Sequence, residues 1–281
     1  MEERKISEER QKIFDKIAKC ENEGFFDSDL EDDPQTKMLY PDQVDYLHKK
    51  LKTKIMSFIV NKKANKIIDN LIKNNQIIIK EIKGIENLKD IKGSAFITSN
   101  HFHPYDNIAI LKAITQNMPN KHKFYRIIRE GNYTASPMGL DLFFKYANTL
   151  PLSSNIHTME KFMKALETLT KKNTYILIYP EQYLWYNYKK PRPLKDGTFK
   201  FSYKYNTPII PCFITMQDSK YFDADNLPIQ EYTVHIMPAI YPNKKNNIKD
   251  ETKRMKELNY QYWKDTYEKE YKIPLTFDIK N

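Results

Sequence analysis

Short apolar runs of strand length recur along this chain, separated by segments of helical length. That alternation restricts the fold more than any other feature. Residues 76–82, 94–99, 123–128, 175–179, 208–214 and 232–237 read as strands. Tyr175-Ile176-Leu177-Ile178-Tyr179 is apolar throughout, as a strand covered on both faces has to be. Helical segments lie near 104–117, 137–147, 157–171 and 197–205, and a charged helix spans 249–270. The pattern predicts an α/β fold, a mixed, mainly parallel sheet flanked by helices. In such sheets, sites gather where strands end and helices begin.

Ahead of the first strand the period is helical, which divides the chain into an N-terminal helical region, 1–75, and an α/β domain, 76–281. Residues 1–22 are charged and helix-prone, and the acidic stretch from Asp27 to Pro34 reads as a loop. A long helical region then starts at Pro41-Asp42. In it Leu47, Leu51, Ile55, Phe58 and Ile59 form an apolar stripe at spacings of three and four. Lys49, Lys50, Lys52, Lys54, Lys62, Lys63 and Lys66 fall mostly off that stripe. The favoured reading packs the stripe on the domain behind it. The other reading lays a basic amphipathic helix on an anionic membrane.

A net charge of +10 points to anionic partners: phosphorylated substrates, acidic carrier proteins, anionic lipid or nucleic acid. No RNP-like aromatic pattern or other nucleic-acid module is readable, so nucleic acid is set aside. Cys20 and Cys212 stand far apart, with no zinc spacing, which suits a reducing compartment and no disulfide framework. No window reaches the roughly 18 apolar residues that span a bilayer. The expectation is a cytoplasmic protein, peripheral on the inner face of the cell membrane.

The segment richest in chemistry is Asn100-His101-Phe102-His103-Pro104-Tyr105-Asp106, directly after the apolar run Ala95-Phe96-Ile97-Thr98. Pro104 suits a first helical position, which puts Asp106 in the first turn and His101 in the connection before it. A turn there folds His101 back towards Asp106, and a carboxylate that fixes one imidazole nitrogen leaves the other free to accept a proton. A second reading sets His101, His103 and Asp106 beside the metal-binding block His-x-His-x-Asp-His. The aspartate falls one place late and no histidine follows it. His103 reads as an N-cap or a surface histidine.

The order of segments resembles the glycerolipid acyltransferase family, the lysophosphatidate acyltransferase-like proteins. Asn100-His101-x4-Asp106 resembles its first block. Pro137-Met138-Gly139 followed by Leu150-Pro151-Leu152 resembles the second. Tyr179-Pro180-Glu181 resembles the Phe-Pro-Glu-Gly-Thr-Arg block, and Lys195-Asp196-Gly197-Thr198-Phe199 with Thr207-Pro208-Ile209-Ile210-Pro211 leads into a Val-Pro-Val-Val-Pro block. Two arginines of the pattern are missing. Ser154 stands at one position, and Gln182-Tyr183-Leu184 replaces Gly-Thr-Arg. Those arginines are the ones expected to hold an acceptor phosphate. Lys189, Lys190, Arg192 and Lys195 are candidate replacements.

The resemblance implies transfer of a fatty acyl group from a thioester, on acyl carrier protein or coenzyme A, to a hydroxyl of a lysophospholipid-like acceptor. It implies no cofactor and no metal. His101 and Asp106 are the candidate catalytic residues, as base and orienting partner. Asn100, Pro180, Glu181, Lys195 and Gly197 are the candidate substrate-binding residues. Glu181 accepts from acceptor hydroxyls or braces the site. Backbone N–H groups near Pro180–Gln182 or at the helix N-terminus are candidate oxyanion donors. Tyr183, Trp185, Tyr186 and Tyr188 form an aromatic patch, read as a membrane interface or acyl-chain mouth in preference to the core of a packed loop. A glycan or other non-phosphorylated acceptor, a hydrolase using water, and a non-catalytic lipid or carrier-binding scaffold are the alternatives.

Overall fold

The computed structural model describes residues 6–30, 35–116, 122–135 and 140–279. The apolar runs become β1 (Ile78–Lys83), β2 (Ala95–Thr98), β3 (Lys123–Ile128), β4 (Thr149–Pro151), β5 (Thr174–Ile178), β6 (Ile209–Phe222) and β7 (Pro228–Ile236). They form one sheet in the order β1-β7-β6-β2-β5-β3-β4. Only β6 and β7 pair antiparallel; every other neighbouring pair is parallel, so the sheet is mixed and mainly parallel, as expected.

Helices cover both faces. α3 (Asp106–Thr115) and the end of α2 (Leu51–Lys73) lie on one, and α6 (Ile156–Thr170), α7 (Gly197–Tyr205) and α8 (Ile248–Tyr271) on the other. The pleat sends alternate residues to opposite sides. Ala95 and Ile97 join Ile110, Ala113 and Leu177 in one core, while Phe96 joins Ile176, Phe162, Phe199 and Trp263 in the other. This two-sided cover is why the strands are apolar without interruption.

Three differences from the sequence reading have physical causes. α3 begins at Asp106, not at Pro104, because Pro104 and Tyr105 are used in the turn that precedes it. α4 (Glu130–Thr134) and β4 are too short to show a period, and α5 (Asp141–Tyr146) starts after its cap Leu140, later than the helix expected from 137. Pro137-Met138-Gly139 lies outside the described residues. β6 runs on to Phe222 through Gln217, Asp218, Ser219 and Lys220, an exposed polar arm of a hairpin whose composition reads as a loop.

The N-terminal helices diverge most from expectation. α2 buries Ser57, Val60, Ala64 and Ile68. The stripe expected to pack is turned outward: Leu51 is 74% exposed, Ile55 51%, Phe58 73% and Ile59 41%, and only Leu47 reaches the core. At 3.6 residues per turn the two sets lie on opposite sides of the helix. α1 (Glu8–Asn22) is amphipathic in the ordinary sense, capped by Ser7, and its Ile13, Phe14 and Ile17 pack on Leu184, Trp185 and Tyr186. The aromatic patch is therefore mostly core, with Trp185 fully buried and its Nε1 donating to Ser28 O at 3.1 Å. A covering helix elsewhere in the chain is not readable from the patch itself.

Candidate active site

The site lies at the carboxyl ends of β2 and β5. Asn100, just past β2, donates from Nδ2 to Ile214 O at 3.0 Å and accepts from Ile214 N at 2.8 Å. These two bonds tie β2 to β6, so Asn100 braces the strand end beside His101. The next residue, His101, brings Nδ1 to 2.8 Å from Asp106 Oδ2. The fold-back expected from the sequence is present.

Asp106 is fully buried. Besides His101, its Oδ2 accepts from Phe102 N at 2.9 Å and His103 N at 3.2 Å. Burial alone would raise its pKa, but His101 and the other donors hold the carboxyl below the usual carboxylate range. An ionised Asp106 accepts, so Nδ1 carries the hydrogen and Nε2 of His101 is the lone-pair nitrogen. Tyr179, directly after β5, donates to Asp106 Oδ1 at 2.6 Å. Its ring lies over the imidazole, centroids 3.9 Å apart and planes 13° from parallel.

Glu181 binds no free group. Its Oε2 accepts from His101 N at 3.0 Å and Arg192 Nη2 at 3.2 Å, and its Oε1 accepts from Arg192 N at 2.7 Å. Both side chains are buried, and Arg192 also donates to Phe26 O and Tyr183 O. The brace reading of Glu181 is the one the geometry supports. Gln182 follows with φ +71°, a left-handed conformation in which a side chain is strained and glycine is not. That accounts for the glycine in the block it resembles. Pro180 O accepts from Lys195 N at 2.8 Å. The Lys195 side chain is spent on Asp27, and Gly197 opens α7 with nothing within 4 Å of an added Cβ. Neither residue touches His101 or Asp106.

Expected positive charge near the site is also mostly used up. Lys190 pairs with Glu21, Arg192 with Glu181 and Lys195 with Asp27. The amides of His101, Phe102, His103 and Gln182 are all bonded to internal acceptors, which removes them as oxyanion donors in this arrangement. His103 is not an N-cap. Its Nδ1 accepts from Tyr105 N at 3.1 Å, and burial holds the ring neutral, its pKa pushed down to about 4. Among the described residues no His, Cys, Asp and Glu side chains cluster as metal ligands would.

Two groups were not anticipated. Arg126 of β3, beside Leu177 of β5, is 9% exposed; among the described residues it makes one long hydrogen bond, from Nη1 to Ala147 O at 3.4 Å, while its Nε has no partner. Burial lowers its pKa to about 10, which leaves it charged, and its charge bears on Tyr179. On the β7 side a cleft of about 380 Å³ is lined in part by His103, Tyr105, Tyr186, Asn187, Gln230 and Tyr232. No local sequence signal marks either one, because each is assembled from distant segments.

A histidine held by a buried carboxylate, at the end of a parallel strand, has the geometry that a general base requires. Residues 80–215 match the family model described as Acyltransferase. These residues carry an acyltransferase domain, which makes the protein an acyltransferase. The crystal structure of the 1-acyl-sn-glycerophosphate (LPA) acyltransferase, PlsC, from Thermotoga maritima has a similar fold. The TM-score is 0.52, at 15% identity, over 82% of this chain and 86% of that one. No curated protein matches the chain.

Proposed function

We propose that the protein transfers a fatty acyl group from an acyl thioester, on acyl carrier protein or coenzyme A, to a hydroxyl of a lysophospholipid-like acceptor. The observation that carries this reading is the 2.8 Å contact of His101 Nδ1 with Asp106, which leaves Nε2 free. The acceptor O–H gives its proton to Nε2 as its oxygen bonds to the thioester carbonyl carbon. The tetrahedral adduct then collapses. The C–S bond breaks, the sulfur takes the proton back from Nε2, and a thiol and an ester remain. No metal or other cofactor enters these steps.

Arg126 is the group we assign to the acceptor's phosphate. A guanidinium buried near Tyr179, with no carboxylate partner among the described residues, is costly unless an anion joins it. Delivery of a lipid acceptor is supported by the exposed side of α2, where Leu51, Ile55, Phe58 and Ile59 project among exposed Lys52, Lys54, Lys62, Lys63 and Lys66. No described helix is long and apolar enough to cross a membrane. We therefore propose that α2 rests on an anionic bilayer surface.

One observation favours a glycan acceptor instead. The cleft beside His103 is lined in part by tyrosines and amides, and two of its oxygens, Asn187 Oδ1 and Gln230 Oε1, are buried with no donor among the described residues. The test is acyl transfer by purified protein from acyl carrier protein and coenzyme A thioesters to lysophosphatidate and to a glycosylated monoacylglycerol, read by mass spectrometry. His101→Ala is expected to lose about 10²–10⁴-fold in kcat while staying folded. Asp106→Asn is expected to lose kcat with little change in KM. Undiminished turnover in His101→Ala overturns the reading.

A further inference from the structure

Tyr179 is tied to both members of the His101–Asp106 pair. Asp106 Oδ2 serves three donors, but Oδ1, among the described residues, is met by the Tyr179 hydroxyl alone, at 2.6 Å. The same side chain stacks on the imidazole at 3.9 Å. The block that Tyr179-Pro180-Glu181 resembles has phenylalanine here, which supplies a ring without a hydroxyl. The hydroxyl is a departure with a structural consequence.

We propose that Tyr179 is a positioning residue, which fixes the plane of His101 and limits its basicity by sharing the charge of Asp106. The proposal rests on the reading of His101 as the base. A base has to be neutral before it can accept a proton. A buried carboxylate whose charge falls mainly on one imidazole holds that imidazole protonated to higher pH. A second strong donor on the carboxylate weakens that pull. Tyr179 is suited to be this donor because burial, followed by the Asp106 charge, keeps its hydroxyl protonated, against a smaller opposite pull from Arg126.

The other charged and titratable groups around the pair are Arg126 from β3, the Glu181–Arg192 pair behind the His101 amide, His103 beside Asp106, and Tyr232 from β7. Arg10 of α1 and Asp223 of the β6–β7 hairpin face His103. All remain in Tyr179→Phe, which removes one oxygen and keeps the ring.

The experiment is an NMR titration of the His101 imidazole in labelled wild type and Tyr179→Phe, assigned with His101→Gln, beside the pH profile of kcat/KM. In Tyr179→Phe the His101 pKa and the acid limb are expected to rise together by about half to one unit, with KM unchanged. Well below the acid limb, kcat/KM falls about three- to tenfold. Site-specific 3-fluorotyrosine at 179, a stronger donor that keeps the fold, is expected to move both in the opposite direction. A titration and a limb within about 0.2 unit of wild type in both variants overturn the proposal. If the imidazole shifts but wild type transfers no acyl group, Tyr179 stands as a positioning residue and the base reading falls. If wild type transfers and nothing shifts, the reverse holds.

Discussion

The outward stripe of α2 gives the most direct test of where this enzyme works. Phe58 is 73% exposed and Leu51 74%. Moving a fully exposed side chain of this size out of water is worth about 1.5–3 kcal/mol, so about three quarters of that, roughly 1–2 kcal/mol each, is available when the stripe enters a bilayer interface. Phe58→Ser is expected to weaken vesicle binding by about 5- to 30-fold, and Leu51→Ser/Phe58→Ser by roughly 30- to 1,000-fold if the two add. Each nearby lysine contributes about 1 kcal/mol on an anionic surface, a share that falls with salt. The assay is co-sedimentation with vesicles of phosphatidylcholine containing increasing phosphatidylglycerol, at low and high salt. The serine variants touch no buried group, so their unfolding free energy should stay within about 0.5 kcal/mol of wild type. Serine variants that bind like wild type, or wild-type binding indifferent to vesicle charge, refute the reasoning.

Two further outcomes are expected. Arg126→Met should raise KM for lysophosphatidate by about 10- to 150-fold, the equivalent of a charge-assisted hydrogen bond of roughly 1.5–3 kcal/mol, and leave a monoacylglycerol acceptor unaffected; equal losses on both would remove the phosphate role. His103 and His235 are each held neutral by burial, with pKa values lowered to about 4. An unfolded histidine titrates near 6.5, so the unfolded chain binds up to two more protons between about pH 6.5 and 4. Stability should therefore fall as pH drops through that window, by up to about 2.7 kcal/mol per pH unit, and stay flat from these groups above it. Urea unfolding at pH 7, 6, 5 and 4.5 checks this, with His235→Gln expected to reduce the slope; stability unchanged from pH 7 to 5 would contradict it.

The fold was legible where burial is two-sided. Tyr175–Ile178 could only be an interior strand, and the sheet followed from the alternation of such runs with helices. Legibility failed where a residue's environment is set by a distant segment. The α2 stripe has a clean helical period, yet period reports that a face is apolar, not what it faces. Val60, Ala64 and Ile68 form a second, less conspicuous face, and that one packs. Trp185 and Tyr186 likewise resemble an interface until α1 is laid over them. In the site, the five-residue spacing of His101 and Asp106 exposed their pairing because both ends lie on one turn. Tyr179 and Glu181 come from a strand end some 75 residues on, so their bonds to Asp106 and to the His101 amide required the sheet order β2-β5.

The distribution of hydrogen bonds around the base separates the chemistry from the choice of acceptor. The backbone of the loop is pinned from several directions: His101 N by Glu181, His101 O by Trp185 N, Phe102 N by Asp106 and Phe102 O by Asn187 N. Glu181 is itself locked by Arg192, and Asn100 anchors the loop to β6. Among the described residues almost every polar atom of this loop is satisfied internally, and Nε2 of His101 is an exception. Such a loop is rigid enough for the proton abstraction proposed for His101, and its bonded amides are not available to recognise a head group. Under the proposed function, recognition falls to groups whose bonding is incomplete among the described residues: Arg126 on the β3 side of the sheet, and the buried oxygens of Asn187 and Gln230 towards β7. A cation on one side and acceptors on the other select differently, the first for phosphate and the second for hydroxyls. An acceptor carrying both would engage the two flanks at once, with the acylated hydroxyl held between them at His101.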